Sequence, residues 1–254
     1  MNIDLGGKVA LVTGGASGIG RAICLGFARA SARIACVDIN EEAGLETVAS
    51  LRSLGAEAHF LRADVTDLES VRRYVDSTLA AYGRIDAFAN NAGYEGAMLP
   101  LTDYPADVFD RVMAINVRGV FLGLKYVLPV MQRQRAGAVI NMGSTASHAG
   151  APGVCAYTAS KHAVLGLTRT AALEVARFGV RVNAICPGGT NTRMLQSLLN
   201  GRNQVEDLAF NLATPNGRIA EPEEIAALAV FLASDHAAHI VGQSVIIDGG
   251  RLAM

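Results

Sequence analysis

A tyrosine and a lysine past the middle of the chain have the types and the spacing needed for proton transfer. Tyr157 and Lys161 are four residues apart in a stretch with a helical pattern, so their side chains share one face. Ser144 precedes Tyr157 by 13 residues and follows a short apolar run typical of a strand. A phenol can exchange a proton, an ammonium can stabilise a phenolate, and a hydroxyl can hold a reacting oxygen. Each residue alone is more often structural, and only their combination predicts an acid–base site.

The charge of Lys161 bears on whether Tyr157 could act as a base near neutral pH. The pKa of an unperturbed tyrosine is ~10, and bringing it to ~7 requires about 4 kcal/mol. An ammonium about 4 Å away supplies an energy of that size at an effective dielectric constant of ~20. We therefore expect Lys161 to lower the pKa of Tyr157.

A glycine-rich turn near the start of the chain has the form of a phosphate-binding turn. An apolar run leads directly into TGGASGIG at 13–20, and an amphipathic helical pattern follows. Glycines let a pyrophosphate approach the backbone, and a helix N-terminus supplies free N–H groups and a positive dipole end. Alone, the turn could be an ordinary strand–helix connection. Its position between a strand and a helix favours dinucleotide binding.

Asp38 ends the second predicted strand, 18 residues after Gly20. A carboxylate there can accept hydrogen bonds from both hydroxyls of an adenosine ribose, and it repels a 2′-phosphate. Neither Ser17 nor Ile39, the neighbours best placed to contact such a phosphate, is basic. The sequence therefore favours NAD over NADP, with an ordinary helix N-cap as the alternative role of Asp38.

Two later segments also follow predicted strands. Asp64-Val65 could hold the adenine edge, although Asp64 by itself is more typical of a turn. Asn90-Asn91-Ala92-Gly93 has small residues that would let backbone groups pack against a cofactor, and without this context it would be only a plausible turn.

The elements that must position these residues alternate along the chain. Helical patterns lie near residues 18–31, 41–54, 67–82, 105–134, 155–179 and 222–233. The predicted strands are Val9–Thr13, Arg33–Asp38, Ala58–Arg62, Asp86–Asn90, Ala138–Met142, Arg181–Cys186 and Ser244–Asp248. Most of these strands are almost continuously apolar, which is typical of a parallel sheet buried on both faces. The pattern predicts an α/β fold: a doubly wound, seven-stranded parallel sheet with helices on both faces and ligands at the carboxyl ends of its strands.

No linker divides the chain, so we expect a single domain over residues 1–254. Residues from about 187 to 221 fit no strand and interrupt the alternation. An insert of that length is more often a lid or a substrate loop than an inert connection.

Composition argues against several classes of partner. The formal net charge of -1 favours neither nucleic acid nor anionic lipid. Four cysteines without metal or redox spacing indicate packed thiols in a reducing compartment. His236 and His239 have no evident partner ligand, so no metal site is predicted. No signal peptide is recognised, and the apolar stretches are interrupted by charges such as Lys125 and Asp235. We expect a cytoplasmic protein without a membrane segment.

Together, the motifs resemble those of the short-chain dehydrogenase/reductase family, and the resemblance covers the whole chain. They are TGGASGIG at 13–20, Asp64-Val65, NNAG at 90–93, Asn116, Ser144, YTASK at 157–161, Pro187-Gly188 with Thr192, and IDGG at 247–250. The resemblance implies a Rossmann-type domain that transfers a hydride between NAD and a secondary alcohol or ketone. It also implies a homotetramer in which the helices near 105–134 and 155–179 pair across one interface.

The resemblance assigns roles to individual residues. It implies a catalytic tetrad of Asn116, Ser144, Tyr157 and Lys161, in which Tyr157 exchanges the proton of the alcohol, aided by Lys161 and by the positive nicotinamide ring. Asn116 would hold a water that links Lys161 to solvent. The residues expected to bind the cofactor are Gly14, Ser17, Gly18, Ile19, Gly20, Asp38, Asp64, Val65, Asn91, Gly93, Tyr157, Lys161, Pro187, Thr190 and Thr192.

The expected substrate pocket is built mostly from small or apolar residues. It comprises Glu95, Ala146, His148, Val154, Gly188 and Met194, with Tyr94, Gly189 and Leu195 nearby. No basic cluster is visible that would suit a phosphorylated sugar or a coenzyme A ester. Tyr-Glu-Gly after NNAG, and FLGLKYVLPVM at 121–131, are similar to NAD-linked alicyclic alcohol dehydrogenases and ketone reductases of the family. We therefore expect a compact, largely apolar, alicyclic alcohol or ketone as substrate, with the roles of Glu95 and His148 open.

Two residues depart from the pattern of the family. Gly143 stands where many members have serine, which leaves Ser144 in place and predicts a wider pocket. Ser31 occupies the usual glycine position after the first helix, where a left-handed cap would be mildly strained.

Two other functions are compatible with part of this pattern. One is an NADPH-dependent 3-oxoacyl-carrier reductase, with which Asp38 disagrees. The other is a non-catalytic dinucleotide-binding regulator, against which the intact tetrad argues.

Overall fold

Seven parallel strands form one sheet in the order β3-β2-β1-β4-β5-β6-β7. The structure is a computed structural model, and it describes residues 3–199 and 214–253. The strands are β1 (Val9–Thr13), β2 (Arg33–Asp38), β3 (Ala58–Arg62), β4 (Ala87–Asn90), β5 (Gly137–Met142), β6 (Val180–Pro187) and β7 (Ser244–Ile247). The predicted α/β class, strand count and parallel pairing are confirmed.

Continuous apolar runs place the central strands in the interior. Every residue of β1 and of β4 is buried, because helices cover both faces of the sheet. β4 begins one residue later than predicted. The carboxylate of Asp86 instead accepts a hydrogen bond from the backbone N–H of Val9 at 2.9 Å and pairs with Arg84.

Eight α-helices are present in the described residues, and six of them form two layers. They are α1 (Gly18–Arg29), α2 (Glu41–Ser53), α3 (Leu68–Tyr82), α4 (Ala106–Met113), α5 (Gly119–Gln134), α6 (Cys155–Val175), α7 (Arg193–Leu199) and α8 (Pro222–Ala233). One apolar core contains residues of α1, α2 and α8, and the other contains residues of α3, α5 and α6. The sheet lies between these two cores.

The strand order reverses at β1, which pairs with β2 on one side and β4 on the other. The connections that leave β1 and β4 therefore diverge and open a crevice at the carboxyl ends of the strands. Ligands of doubly wound sheets bind in this crevice. The glycine-rich turn and the segment after β4 both lie there.

The long helical pattern near 105–134 forms one continuous helical segment with a change of pitch. α4 passes into a π-helical turn, Ala114–Arg118, and then into α5. By length and composition alone the segment Ala106–Gln134 could cross a membrane, although it contains Lys125, one of the charges expected to interrupt such stretches. Half of its most apolar window is buried inside the fold, where it packs against α3 and α6.

Smaller differences from the predicted elements have local causes. The helix near 155–179 ends as a 3₁₀ turn, Ala176–Phe178, because Gly179 adopts a left-handed conformation. The segment 187–221 contains the unpredicted helix α7, and its residues 200–213 lie outside the described part of the chain. Ser31 has φ +68, as the expectation of a left-handed cap requires.

Candidate active site

The glycine-rich turn presents the N-terminus of α1 to the crevice. Ser17 is the N-cap of this helix, but its side chain makes no capping hydrogen bond. Gly14 has φ +67, and a Cβ at this position would lie 2.8 Å from Asn91 Nδ2. A larger residue at Gly14 would therefore be strained and would collide with the segment after β4. The first N–H groups of α1 and the Ser17 hydroxyl are thus available to an anionic ligand.

Thr13 and Asn91 join the glycine-rich turn to the segment after β4. The buried Thr13 hydroxyl accepts hydrogen bonds from the backbone N–H groups of Asn91 at 3.0 Å and Ala92 at 3.2 Å. Asn91 Nδ2 donates to the carbonyl oxygen of Thr13 at 3.0 Å. Sequence reasoning missed this role of Thr13, although its position as the last residue of β1 could have suggested it.

The Asp38 carboxylate is fixed at the edge of the crevice by two backbone groups. Its Oδ2 accepts from the N–H of Ala16, and its Oδ1 accepts from the N–H of Asn40, each at 3.0 Å. The N-cap of α2 is Asn40, whose Oδ1 accepts from the N–H of Ala43. Asp38 is therefore not the N-cap, and its remaining lone pairs can accept further hydrogen bonds.

Asp64 combines a turn with a place at the crevice. Its Oδ1 accepts hydrogen bonds from the backbone N–H and the hydroxyl of Thr66, both at 2.8 Å. Val65 packs against the start of α5, where a Cβ on Gly119 would lie 3.0 Å from Val65 Cγ2. The turn therefore holds these two residues against the helices that flank the crevice.

One cavity of about 630 Å³ fills the crevice, and its volume is in the range of sites for drug-sized ligands and cofactors. Ser144 lies on its wall. The fifteen predicted cofactor residues also line it: Gly14, Ser17, Gly18, Ile19, Gly20, Asp38, Asp64, Val65, Asn91, Gly93, Tyr157, Lys161, Pro187, Thr190 and Thr192. Residues that are far apart in sequence thus meet around one space.

Tyr157, Lys161 and Ser144 all line this cavity. Lys161 Nζ lies 5.4 Å from the centre of the Tyr157 ring and donates to the carbonyl oxygen of Met142 at 2.7 Å. Ser144 Oγ accepts from the N–H of Ala146 at 3.1 Å. Burial raises the pKa of Tyr157, and a hydrogen bond with the side chain of Ser144 opposes part of this rise. The serine and the tyrosine can therefore hold the same oxygen atom.

The expected lowering of the Tyr157 pKa by Lys161 is not found in the protein alone. Burial raises the pKa of Tyr157 to about 12, and this effect exceeds the contribution of Ser144. Burial also lowers the pKa of Lys161 to about 8, which weakens its charge at alkaline pH. The attraction between the two groups is expected from the sequence, but the cost of removing both from water is not.

Asn116 lies in the π-helical turn and organises the wall of the site. Its Oδ1 accepts from the N–H of Tyr94 at 2.8 Å, and its Nδ2 donates to the carbonyl oxygen of Tyr94 at 2.9 Å and to Ser160 Oγ at 3.0 Å. Its amide therefore fastens the segment after β4 to α6, the helix of Tyr157. π-helical turns occur frequently at functional sites.

The predicted substrate residues divide into two groups. Four of them line the cavity: Ala146, Val154, Gly188 and Met194. His148 is exposed at the end of a 3₁₀ turn, Thr145–Ser147, and is not among the described residues that line the cavity, so its role in the pocket stays a prediction. Glu95 is half-buried and is absent from the described lining, although its charge is near enough to raise the pKa of Tyr157.

Several lining residues were not predicted. They include Met98, Ile115, Ala149, Gly150, Ala151, Pro152, Leu198, Arg251 and Leu252. Most of them lie in irregular segments, for which periodicity gives no signal. The IDGG motif at 247–250 could have indicated the last two, because Asp248 holds the N–H of Leu252 at 2.8 Å and so brings the end of the chain to the cavity.

Gly143 has a steric role that the sequence did not indicate. A Cβ at this position would lie 2.7 Å from the sulfur of the buried Cys186 and 3.1 Å from the carbonyl oxygen of Ile185. The absent side chain therefore makes room for Cys186 beneath the turn of Ser144. The expected widening of the substrate pocket does not follow from this arrangement.

The residues present fit a dinucleotide. An open helix N-terminus faces the cavity, Asp38 offers a carboxylate at its edge, and Gly18 lies opposite Thr192, whose Cγ2 is 3.4 Å from the place of a Cβ on that glycine. Among residues 3–199 and 214–253, no three His, Cys, Asp or Glu side chains are grouped so that they could hold a metal ion. The open N-terminus of α1 and the Asp38 carboxylate are the features that suit a dinucleotide.

Comparisons with known proteins agree with this geometry. The profile of a family described as "Enoyl-(Acyl carrier protein) reductase" matches residues 14–251. Levodione reductase of Leifsonia aquatica is 42% identical over 97% of this chain and 94% of its own. Cyclopentanol dehydrogenase of a Comamonas species is 40% identical over 97% of each chain.

A solved structure adds a relative with a bound cofactor. The crystal structure of NAD⁺-bound xylitol dehydrogenase superposes with a TM-score of 0.92 at 39% identity, covering 96% of this chain and 99% of that chain. The fold, the arrangement of the tyrosine, lysine and serine, and these similarities give one conclusion: the chain belongs to the short-chain dehydrogenase/reductase family.

Proposed function

We propose that the protein is an NAD-dependent oxidoreductase that interconverts a secondary alcohol and a ketone. The observation that carries the proposal is that Tyr157, Lys161 and Ser144 line the same cavity as the glycine-rich turn and Asp38. This arrangement puts an acid–base group next to the space that a dinucleotide would occupy. The relatives named as dehydrogenases and reductases support the same reaction class.

Each catalytic side chain has a role that its contacts support. Tyr157 takes the hydroxyl proton of the alcohol, and in the reverse direction it donates this proton to the ketone oxygen. Ser144 holds the same oxygen, since its Oγ accepts from Ala146 and keeps its own proton to donate. Lys161, whose Nζ lies 5.4 Å from the centre of the Tyr157 ring, would stabilise the phenolate together with the positive nicotinamide ring of bound NAD. Bound NAD supplies the acceptor for the hydride of the alcohol carbon.

Asn116, the fourth residue of the predicted tetrad, is proposed to act by positioning the backbone that it binds. Its side-chain amide is engaged by Tyr94 and Ser160, so the amide serves to position the wall and α6. A water linking Lys161 to solvent would then be bound by the backbone of the π-helical turn.

The preference for NAD is proposed from Asp38. Its carboxylate is held by Ala16 and Asn40 at the cavity edge, where it would accept from ribose hydroxyls and repel a 2′-phosphate. The neighbouring Ile39, which also lines the cavity, offers no positive charge. The NAD⁺ in the related xylitol dehydrogenase supports this choice.

The substrate is proposed to be small, largely apolar and alicyclic. Beyond Ser144 and Tyr157, the cavity wall contains apolar groups from Met98, Val154 and Leu252. Two relatives carry names that refer to cyclic compounds, levodione reductase and cyclopentanol dehydrogenase. Burial of ring methylenes against an apolar wall stabilises the bound substrate.

Three further properties belong to the same proposal. Residues 187–221 of a single domain would form the substrate loop, since Pro187, Gly188, Met194 and Leu198 line the cavity. The protein would be a cytoplasmic homotetramer. Exposed apolar side chains on α4, α5 and α6, namely Phe109, Phe121 and Leu173, suit pairing between copies.

A screen of alcohols tests the proposal. Purified protein is offered cyclic and acyclic secondary alcohols with NAD or NADP, and NADH or NADPH formation is followed by absorbance. We expect oxidation of cyclic secondary alcohols with NAD and a much lower rate with NADP. Activity confined to NADPH and acyl-carrier substrates, or no activity with any alcohol or ketone, would contradict the proposal.

A further inference from the structure

The substrate side of the cavity has a wall built from two irregular segments. Met98, from the segment after β4, lines the cavity together with the apolar stretch Ala149–Pro152. The two segments are joined by a backbone hydrogen bond from the N–H of Leu99 to the carbonyl oxygen of Gly153 at 2.8 Å. A Cβ on Gly153 would lie 3.3 Å from Met98 Cγ, so the methionine side chain packs directly over this glycine.

The position of Met98 is set by contacts on both sides of it. On one side is the Leu99–Gly153 bond, and on the other the N–H of Ala97 donates to the hydroxyl of Tyr104 at 3.0 Å. Asn116 holds Tyr94 further back along the same segment. Because the segment has no helix or strand of its own, bonds such as these help to hold Met98 in place.

The Tyr104 hydroxyl packs against Gly96, at a position where a larger residue would not fit. Gly96 has φ +76, and a Cβ there would collide with the Tyr104 hydroxyl and would lie 2.7 Å from Val112 Cγ2. Tyr104 itself is half-buried and is not among the described residues that line the cavity. Tyr104 therefore influences the substrate space through Ala97 and Met98, and it does not contact this space directly.

We propose that Tyr104 is a positioning residue that fixes Met98 against Gly153 and thereby sets the ring size of the alicyclic substrate. This inference rests on the proposed function, since it concerns the same reaction and the same cavity. A methionine is flexible, and its value as a size filter depends on a wall that holds its backbone still. The hydroxyl of Tyr104 supplies this restraint.

The test measures selectivity across ring sizes. Wild type, Tyr104→Phe, Met98→Ala and the double variant are assayed with NAD and a series of cyclic alcohols from cyclopentanol to cyclooctanol. Tyr104→Phe keeps the ring and removes the acceptor for the Ala97 N–H. We expect the ratio of kcat/KM between the best ring and the next larger rings to fall about three- to tenfold, mainly through KM, with the KM for NAD unchanged.

A double-mutant cycle separates positioning from general stability. If Tyr104 acts through Met98, Tyr104→Phe should change the ring-size ratio by less than about twofold in the Met98→Ala background. Tyr82→Phe is the matched control, because the Tyr82 hydroxyl donates to the carbonyl oxygen of Ile34 at 3.3 Å, away from the cavity. This variant should leave the ring-size ratio unchanged even where it lowers the melting temperature.

Three outcomes would overturn the inference: an unchanged ring-size profile in Tyr104→Phe, equal effects of this substitution with and without Met98, or an equal change in Tyr82→Phe. Failure of the proposed function would look different. In that case the wild type itself would oxidise no member of the series.

Discussion

At the scale of single residues, the buried Lys161 serves the proposed reaction but lowers the stability of the folded protein. Its ammonium group is buried and donates to the carbonyl oxygen of Met142, and burial lowers its pKa to about 8. A lysine with a lowered folded-state pKa destabilises the folded protein at neutral pH, where it must be charged. The stability of the folded protein therefore rises as the pH goes from the folded-state to the unfolded-state pKa of the lysine. In this range the unfolded chain binds more protons than the folded protein does.

A pH series of unfolding measurements tests this reasoning. We expect the free energy of unfolding of the wild type, relative to Lys161→Met, to rise by about 3 kcal/mol between pH 8 and pH 10.5. The raised pKa of Tyr157 has the opposite effect above its unfolded value, but it is present in both proteins and largely cancels. Lys125→Met, which removes an exposed lysine, controls for the loss of one positive charge. A difference that stays flat across this range would show that Lys161 is not desolvated.

Asp38 gives a second test at this scale. Asp38→Asn keeps the size of the side chain and removes the charge, so we expect kcat/KM with NAD to fall about ten- to a hundredfold. The preference for NAD over NADP should shrink with it, because the repulsion of a 2′-phosphate is lost. Asn40→Ala is the control: it removes the N-cap of α2, and should cost stability without changing the cofactor ratio. An unchanged ratio in Asp38→Asn would contradict the role of this carboxylate.

Sequence reasoning was most successful for residues that follow directly from a motif, and it was less informative where a side chain depends on a turn. His148 was placed in the pocket because it is close to Ser144 in sequence, but it follows a 3₁₀ turn and is exposed. Tyr104 and Met98 carried no signal, because their arrangement depends on the left-handed conformation of Gly96 and on bonds between two irregular segments.

At the scale of elements, the strands were predictable because buried parallel strands are nearly continuous in apolar residues. The bounds of β1, β2 and β3 agree with the prediction at both ends. The π-helical turn at Ala114–Arg118 was not predictable, since Asn116 is drawn toward Tyr94 and Ser160 by tertiary hydrogen bonds and not by local preference. The π-helical turn therefore lies where Asn116 connects the segment after β4 to α6.

The junction between α1 and β2 contains a strained serine, and this allows a prediction about stability. Ser31 has φ +68, a conformation that costs residues other than glycine about 1 kcal/mol. Ser31→Gly should therefore raise the free energy of unfolding by about that amount, measured in urea. Ala30→Gly, at φ -88 in the preceding position, should lower it. If Ser31→Gly were no more stable than the wild type, the strain would be absent.

At the scale of the whole molecule, the sheet order converts scattered motifs into one site. The reversal at β1 brings the glycine-rich turn, the segment after β4 and the turn of Ser144 to the same edge, although they are far apart in sequence. The alternation of strands and helices predicted this class of fold. The shape of the substrate side was not predictable, because segments without periodicity and the end of the chain form it.

Assembly gives a prediction at the same scale. Leu173 on α6 is 83% exposed, far more than an apolar side chain on a core helix normally is. If α6 pairs with another copy, Leu173→Glu should convert a tetramer into smaller species in size-exclusion chromatography with light scattering. Leu54→Glu, at a position that is 50% exposed after α2, is the matched control and should leave the mass unchanged. A monomeric wild type, or a tetramer that tolerates Leu173→Glu, would contradict the proposed interface.

The proposed reaction depends on Tyr157, which exchanges the substrate proton through its hydroxyl. This hydroxyl can be removed without changing the ring. In Tyr157→Phe we predict a fall in kcat for alcohol oxidation of about a thousandfold or more, with the Kd for NAD within about fivefold of wild type. NADH formation and calorimetric titration with NAD measure the two quantities on the same preparation. Oxidation within about tenfold of the wild-type rate would contradict the account, because a phenyl ring cannot take up a proton.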